Sequence, residues 1–168
     1  HEQKTYLYQL KHTIDVTPLG EQVNLTTLSE DLWKTLSNWS KLISDPLEGR
    51  IQKVDQKQFI KTSCFILVTN RKVNANEMIK KMTEVRQGVV NGSDFLNYIK
   101  QLQVKTKNIE IKEYMNDIIK LGASVSQAFI KNVEIIDSPN NLFDCIRDGI
   151  RDKMVPEEYI DDILGNLY

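Results

Sequence analysis

Cys64-Phe65-Ile66-Leu67-Val68 is an unbroken apolar run closed by Thr69-Asn70, and its reading decides the fold. A run this short, with aromatic and β-branched side chains, reads as a strand buried on both faces, the pattern of a parallel sheet. The strand is read over Phe59 to Thr69, and a strand and then a helix precede it. Thr5 to His12 supplies the strand: Tyr6, Tyr8 and Leu10 alternate with Leu7, Gln9 and Lys11, and the tyrosine set is the expected packing face. The helix follows over 28–44. Thr27 and Glu30 are spaced as a capping box, and Asp31 adds negative charge to the first turn. Leu32, Leu36, Trp39 and Ile43 then recur at helical spacing, with Trp33 beside them, until Asp45-Pro46 ends the run. Strand, helix, buried strand is a βαβ unit, and the expected class is α/β.

Downstream the signals are mostly helical. Asn76 to Val85 is one candidate, and Ser93 caps a second that carries Phe95, Leu96, Ile99 and Leu102 on one face. Ile109 to Leu121 is a third, closed by Gly122, and Ser124 to Ile130 a fourth. Val133 to Ile136 is a short β-branched strand. Ser138-Pro139 then caps a helix with Leu142, Phe143, Ile146, Ile150 and Met154 inward, and Pro156 opens a last one on Tyr159, Ile160, Ile163 and Leu164. The expected organisation is one domain over 1–168, a βαβ core at 5–70 followed by a helical region at 71–168 with one short strand. A strong strand with only four residues before it reads as the second arm of a hairpin, so the domain is expected to lack its first strand.

Composition narrows the function classes without choosing among them. The chain has 168 residues, 40% hydrophobic and 27% charged, with 22 Lys and Arg against 23 Asp and Glu. That is ordinary globular composition, and it excludes a strongly basic nucleic-acid wrapper. No apolar run nears the roughly 20 residues needed to span a bilayer, and no signal-peptide pattern opens the sequence, so a cytoplasmic protein without membrane contact is expected. Cys64 and Cys145 lie far apart in apolar segments and read as reduced, buried thiols. With His1 and His12 the only histidines, neither zinc spacing nor a His-rich cluster occurs. Charge is uneven: residues 1–136 carry 19 basic and 15 acidic side chains, 137–168 carry 3 and 8. The acidic tail is a solvated helical surface, or it turns away from a polyanion that the basic remainder faces.

The chemistry-bearing motif is Gln9-Leu10-Lys11. Period-two geometry puts Gln9 and Lys11 on one face of the strand. A side-chain oxygen acceptor and a lysine so spaced form the second half of a metal-dependent nuclease site. There the acceptor helps position a hard divalent cation, the intervening carbonyl can add a ligand, and the lysine steadies the attacking water and the charge developing on phosphate. Taken alone, Q-x-K is also common on solvated strand faces.

Tyr6-Leu7-Tyr8-Gln9-Leu10-Lys11-His12-Thr13, the helix Leu28-Ser29-Glu30-Asp31-Leu32-Trp33-Lys34-Thr35-Leu36 and the strand Phe65-Ile66-Leu67-Val68-Thr69-Asn70 come in a recognisable order. Together they resemble the double-stranded DNA nuclease domain of bacterial antiphage effectors regulated by cyclic oligonucleotides. That domain is a Q-x-K variant of the PD-(D/E)xK restriction-endonuclease-like superfamily. The resemblance covers 5–70 best, and 71–168 only in the order of elements. It implies a mixed sheet flanked by helices, Mg²⁺ or Mn²⁺ as cofactor, double-stranded DNA as substrate, and a regulatory sensor domain or self-association as control. By it, Gln9 contributes to metal binding and Lys11 acts in catalysis. The sequence departs from the family at the principal metal ligand, an Asp on the preceding strand. Glu2 falls in a turn, and Asp15 leaves the strand at its loop end.

His12, Arg71, Lys72, Lys80, Lys81 and Arg86 are the candidate nucleic-acid contacts, each able to neutralise phosphate without reading sequence, or else ordinary solvated surface. Trp33 and Trp39 read as packing rather than a base-stacking platform. No Gly-rich phosphate loop or nucleophile elbow appears. Two function classes remain: a metal-dependent DNA endonuclease domain, and a non-catalytic α/β interaction or nucleic-acid-binding module with a nuclease-like fold.

Overall fold

Thr5–Lys11 (β1) and Ser63–Thr69 (β2) are hydrogen-bonded neighbours running parallel, with Leu7 beside Phe65, Gln9 beside Leu67 and Lys11 beside Thr69. Val133–Ile136 (β3) adds to the other edge of β2, again parallel, with Val133 beside Phe65. This is a computed structural model, and it describes residues 4–11, 17–20, 23–44, 56–73 and 76–137. The expected neighbours are therefore found, and the protein is α/β. The sheet departs from the mixed one expected, since all three described strands are parallel. Each passage between them runs through helices, which gives the long crossover that a parallel pair needs.

The packing face of β1 is the reverse of the one expected. Leu7 packs against the hydrophobic core, while Tyr6 and Tyr8 are exposed at 39% and 36%. Parallel register explains this. Leu7 lies level with Phe65 and Val133, both buried in the core, so the face shared by Leu7, Gln9 and Lys11 is the core side of the sheet. On β2 both faces are buried as expected: Phe65 and Leu67 join the core cluster, and Ile66 and Val68 are buried on the opposite side. Cys64 is a free thiol, half-buried rather than buried.

Glu30–Ser44 (α1) crosses from β1 toward Gln56–Lys61 (α2), a short helix that takes Phe59 to Lys61, so the strand expected from Phe59 begins only at Ser63. The expected capping box is not how α1 starts. The Thr27 hydroxyl instead accepts from the Glu77 backbone N–H at 2.9 Å, and Ser29 Oγ accepts from Thr26 N at 2.8 Å. Glu77–Arg86 (α3), Gly92–Lys105 (α4), Ile109–Lys120 (α5) and Ala123–Lys131 (α6) complete the described helices close to their expected bounds. The α4 cap is Asn91, not Ser93: its side chain accepts from the Asp94 N–H, and Ser93 falls inside the first turn. Asn76 and Asn108 cap α3 and α5 in the same way, each satisfying an N–H that the helix start leaves unpaired. Gly122, at φ 76°, supplies the left-handed turn between α5 and α6. The helices expected over 138–164 lie outside the described residues, as does Cys145.

The core sits between one face of the sheet and the helices. Phe65 is fully buried, with its ring 5.0 Å from Phe129 and 5.6 Å from Trp39 between centroids. Trp33 is buried as well, and its indole N–H donates to the Thr27 carbonyl at 2.8 Å. Both tryptophans are thus core, as expected. On the far side of α1, Asp117 of α5 accepts from the Ser37 hydroxyl at 2.7 Å and pairs with Lys41 and Lys120. Burial pushes its carboxyl up, but Ser37 and the two lysines outweigh that and hold it below the usual carboxylate range.

Where α4 meets α6 the backbones are close, because Gly92 has no side chain. A Cβ there would fall on the Ala123 carbonyl and against Gln127. Gly92→Ala should therefore destabilise by about 1–3 kcal/mol, despite alanine's better helix propensity. A urea titration checks this: a midpoint equal to or above the parent's would mean that the helices move apart freely.

Candidate functional site

Lys11 is the last residue of β1, Thr69 is the last of β2, and Asp31 lies in the first turn of α1. In a parallel sheet the connecting helix begins where its strand ends, so these positions share the carboxyl edge of the strands, the usual place for a ligand crevice. Two bonds bend the chain after β2. The Arg71 N–H donates to the Thr69 hydroxyl at 3.1 Å, and the Lys72 carbonyl accepts from Leu25 N at 2.9 Å. The 23–29 loop is pinned further by Asn76, whose amide donates to the Leu25 carbonyl at 2.8 Å. Val73 N–H donates to the Asp137 carboxylate just beyond β3, at 3.2 Å.

On that edge three charges meet. Lys11 Nζ lies 3.4 Å from one oxygen of Asp31, and Arg71 Nη1 lies 3.6 Å from the other. One carboxylate thus bridges two cations, and the cluster keeps a net positive charge. All three side chains retain solvent contact, 23% for Lys11, 15% for Arg71 and 37% for Asp31, so each pair contributes only about 0–1 kcal/mol. Gln9 shares the Lys11 face, and its amide N–H donates to the Leu10 carbonyl at 3.3 Å.

The remaining candidate cations do not join this cluster. Lys72 and Lys80 are exposed, Lys80 on α3. Lys81 pairs with Glu84 and lies 5.5 Å from the Tyr98 ring centroid. Arg86, at the far end of α3, donates to the Val133 carbonyl at 3.1 Å, which belongs to the amino end of β3. The 71–86 cations are therefore spread out, with Arg71 just past the end of β2 and Arg86 beside Val133, which lies level with Phe65. His12, Asp15 and Glu2 lie outside the described residues. Asp31 is the residue that sequence reasoning assigned only to the helix dipole. Its position in the first turn of the crossover helix was the available signal, since that turn must return to the end of β1.

A hard divalent cation takes about six oxygen ligands. Beside Lys11 the oxygens on hand are those of Gln9, the Leu10 carbonyl and Asp31. The Leu10 carbonyl already accepts from Gln9, and Asp31 is shared by two cations. Among the described residues no group of three or more His, Cys, Asp or Glu could hold a metal ion. These residues by themselves do not fit Mg²⁺ or Mn²⁺. What the edge does present is a lysine and an arginine, both partly solvent-exposed and both drawn to one carboxylate.

Among the described residues no helix is long and apolar enough to cross a membrane. Comparison of the chain with models of known families, with curated proteins and with solved structures finds no match in any of the three.

Proposed function

We propose that this chain is the nuclease-like domain of a cytoplasmic bacterial antiphage effector, and that the carboxyl edge of β1 and β2 is where it meets the phosphate backbone of double-stranded DNA. The observation that carries the reading is the convergence of Lys11 and Arg71 on one carboxylate, with Gln9 on the same strand face as Lys11. Arg71 and Lys11 neutralise phosphate, and the cations along α3 extend the contact without reading bases. Cutting in Mg²⁺ or Mn²⁺, under control of a sensor domain or of self-association, is what the likeness to that nuclease family implies. A second reading, binding without cutting, is favoured by the pairing of the Asp31 carboxylate with two cations and by the absence, among the described residues, of a group of three or more His, Cys, Asp or Glu that could hold a metal.

The test is binding of residues 1–168 to short duplexes of different sequence over a range of salt. Affinity should fall steeply with salt, with a slope of about 0.9 per phosphate contacted, and be nearly the same for all sequences. Lys11→Ala and Arg71→Ala should each weaken binding. Lys80→Ala should flatten the slope more than Lys81→Ala, because Lys81 is already paired with Glu84. Affinity unchanged in both the Lys11 and Arg71 variants would remove this edge from the interface and end the reading.

A further inference from the structure

Two cations drawn to the two oxygens of one carboxylate form an arrangement that an incoming phosphodiester can copy, since it too offers a pair of anionic oxygens to a lysine and an arginine. We propose that Asp31 is a built-in competitor for the phosphate site: its carboxylate occupies the position between Lys11 and Arg71 that a backbone phosphate takes on binding. The inference rests on the reading of this edge as phosphate-binding, and adds how the site is kept closed to weak anions. Three features support it. Asp31 is the most exposed of the three, at 37%, and stands on the outer flank of α1, so it can swing to solvent without disturbing the helix. The pairs are solvent-screened, so exchanging one anion for another costs little. The Arg71 backbone N–H is held by the Thr69 hydroxyl and the Lys11 backbone by the β1–β2 register, so both cationic side chains leave from fixed points on the same edge.

Removing the competitor should therefore open the site. Asp31→Asn keeps the shape of the side chain and deletes its charge. It should tighten binding to a duplex of fixed length by roughly five- to tenfold at low salt, and make the salt slope steeper by about one phosphate. The gain should shrink when Lys11→Ala is added and vanish when Arg71→Ala is added as well, because the two cations that Asp31 holds are what make it. Inorganic pyrophosphate, followed by amide shifts of Lys11 and Arg71 in NMR spectra, reports the same exchange without DNA. Circular dichroism confirms that the variants are folded. If Asp31→Asn weakens binding, the carboxylate positions the two cations and the competitor role is overturned. Unchanged affinity for both probes overturns it too. Pyrophosphate binding that tightens in the variant while neither protein binds duplex supports the anion exchange and defeats the DNA reading. Duplex binding by the parent with no change in the variant does the reverse.

Discussion

Lys11→Ala should leave duplex DNA uncut where the parent nicks it in Mg²⁺ or Mn²⁺. The expected loss is on the order of 10²–10³-fold or more, the scale for removing one group that faces charge developing in a transition state. Lys11 is suited to that part because β1 ends on it and register fixes it level with Thr69. The fold should survive, since the pair with Asp31 contributes only about 0–1 kcal/mol. Lys11→Arg should not restore cutting, because a planar guanidinium does not replace a compact ammonium as a proton-handling group. A nicking assay with chelator as control decides it. Cutting at the parent rate, or in EDTA, would make the Q-x-K spacing an accident of strand composition. If the parent binds duplex and does not cut it, the binding-only reading takes over.

The largest stability effect should come from Phe65→Ala, at about 3–5 kcal/mol. Phe65 is fully buried at the middle of the sheet, level with Leu7 and Val133, and its ring meets those of Trp39, Phe59 and Phe129. Those partners come from α1, α2 and α6, which cannot all move to refill the space. Tyr6→Ala, on the same sheet but 39% exposed, should cost no more than about 0.5 kcal/mol. Urea titrations of the two variants test the burial and the orientation of β1 together. A Tyr6 variant as damaged as the Phe65 variant would mean that the strand packs with its other face inward.

How far the fold is legible in the sequence differs from element to element. Asn91 and Ser93 both suit a helix start, and a one-dimensional pattern gives no ground for choosing between them two positions apart. The structure chooses Asn91, where the backbone is still extended and the side chain reaches the Asp94 N–H. The short helix α2 is hidden because six residues show less than two turns of periodicity. Asn76 is legible as a cap, but its amide bond to Leu25, far away in sequence, is not.

What the amino-acid sequence determined by itself is the pairing of β1 with β2. An apolar run without alternation suits a strand covered on both faces, and the strand and helix patterns ahead of it make a parallel βαβ pairing the natural reading. The helices α3 to α6 follow from spacing in the same way, because their periodicity is written over ten residues or so each. Tertiary structure alone decided which face of β1 is buried. Tyr6 and Tyr8 can pack or meet water equally well, and Leu7 outweighs them only because register sets it beside Phe65 and Val133. It also decided the site. Lys11, Asp31 and Arg71 come from a strand, a helix start and a loop, and Coulomb attraction between them exists only after the βαβ crossover has brought those three ends to one edge.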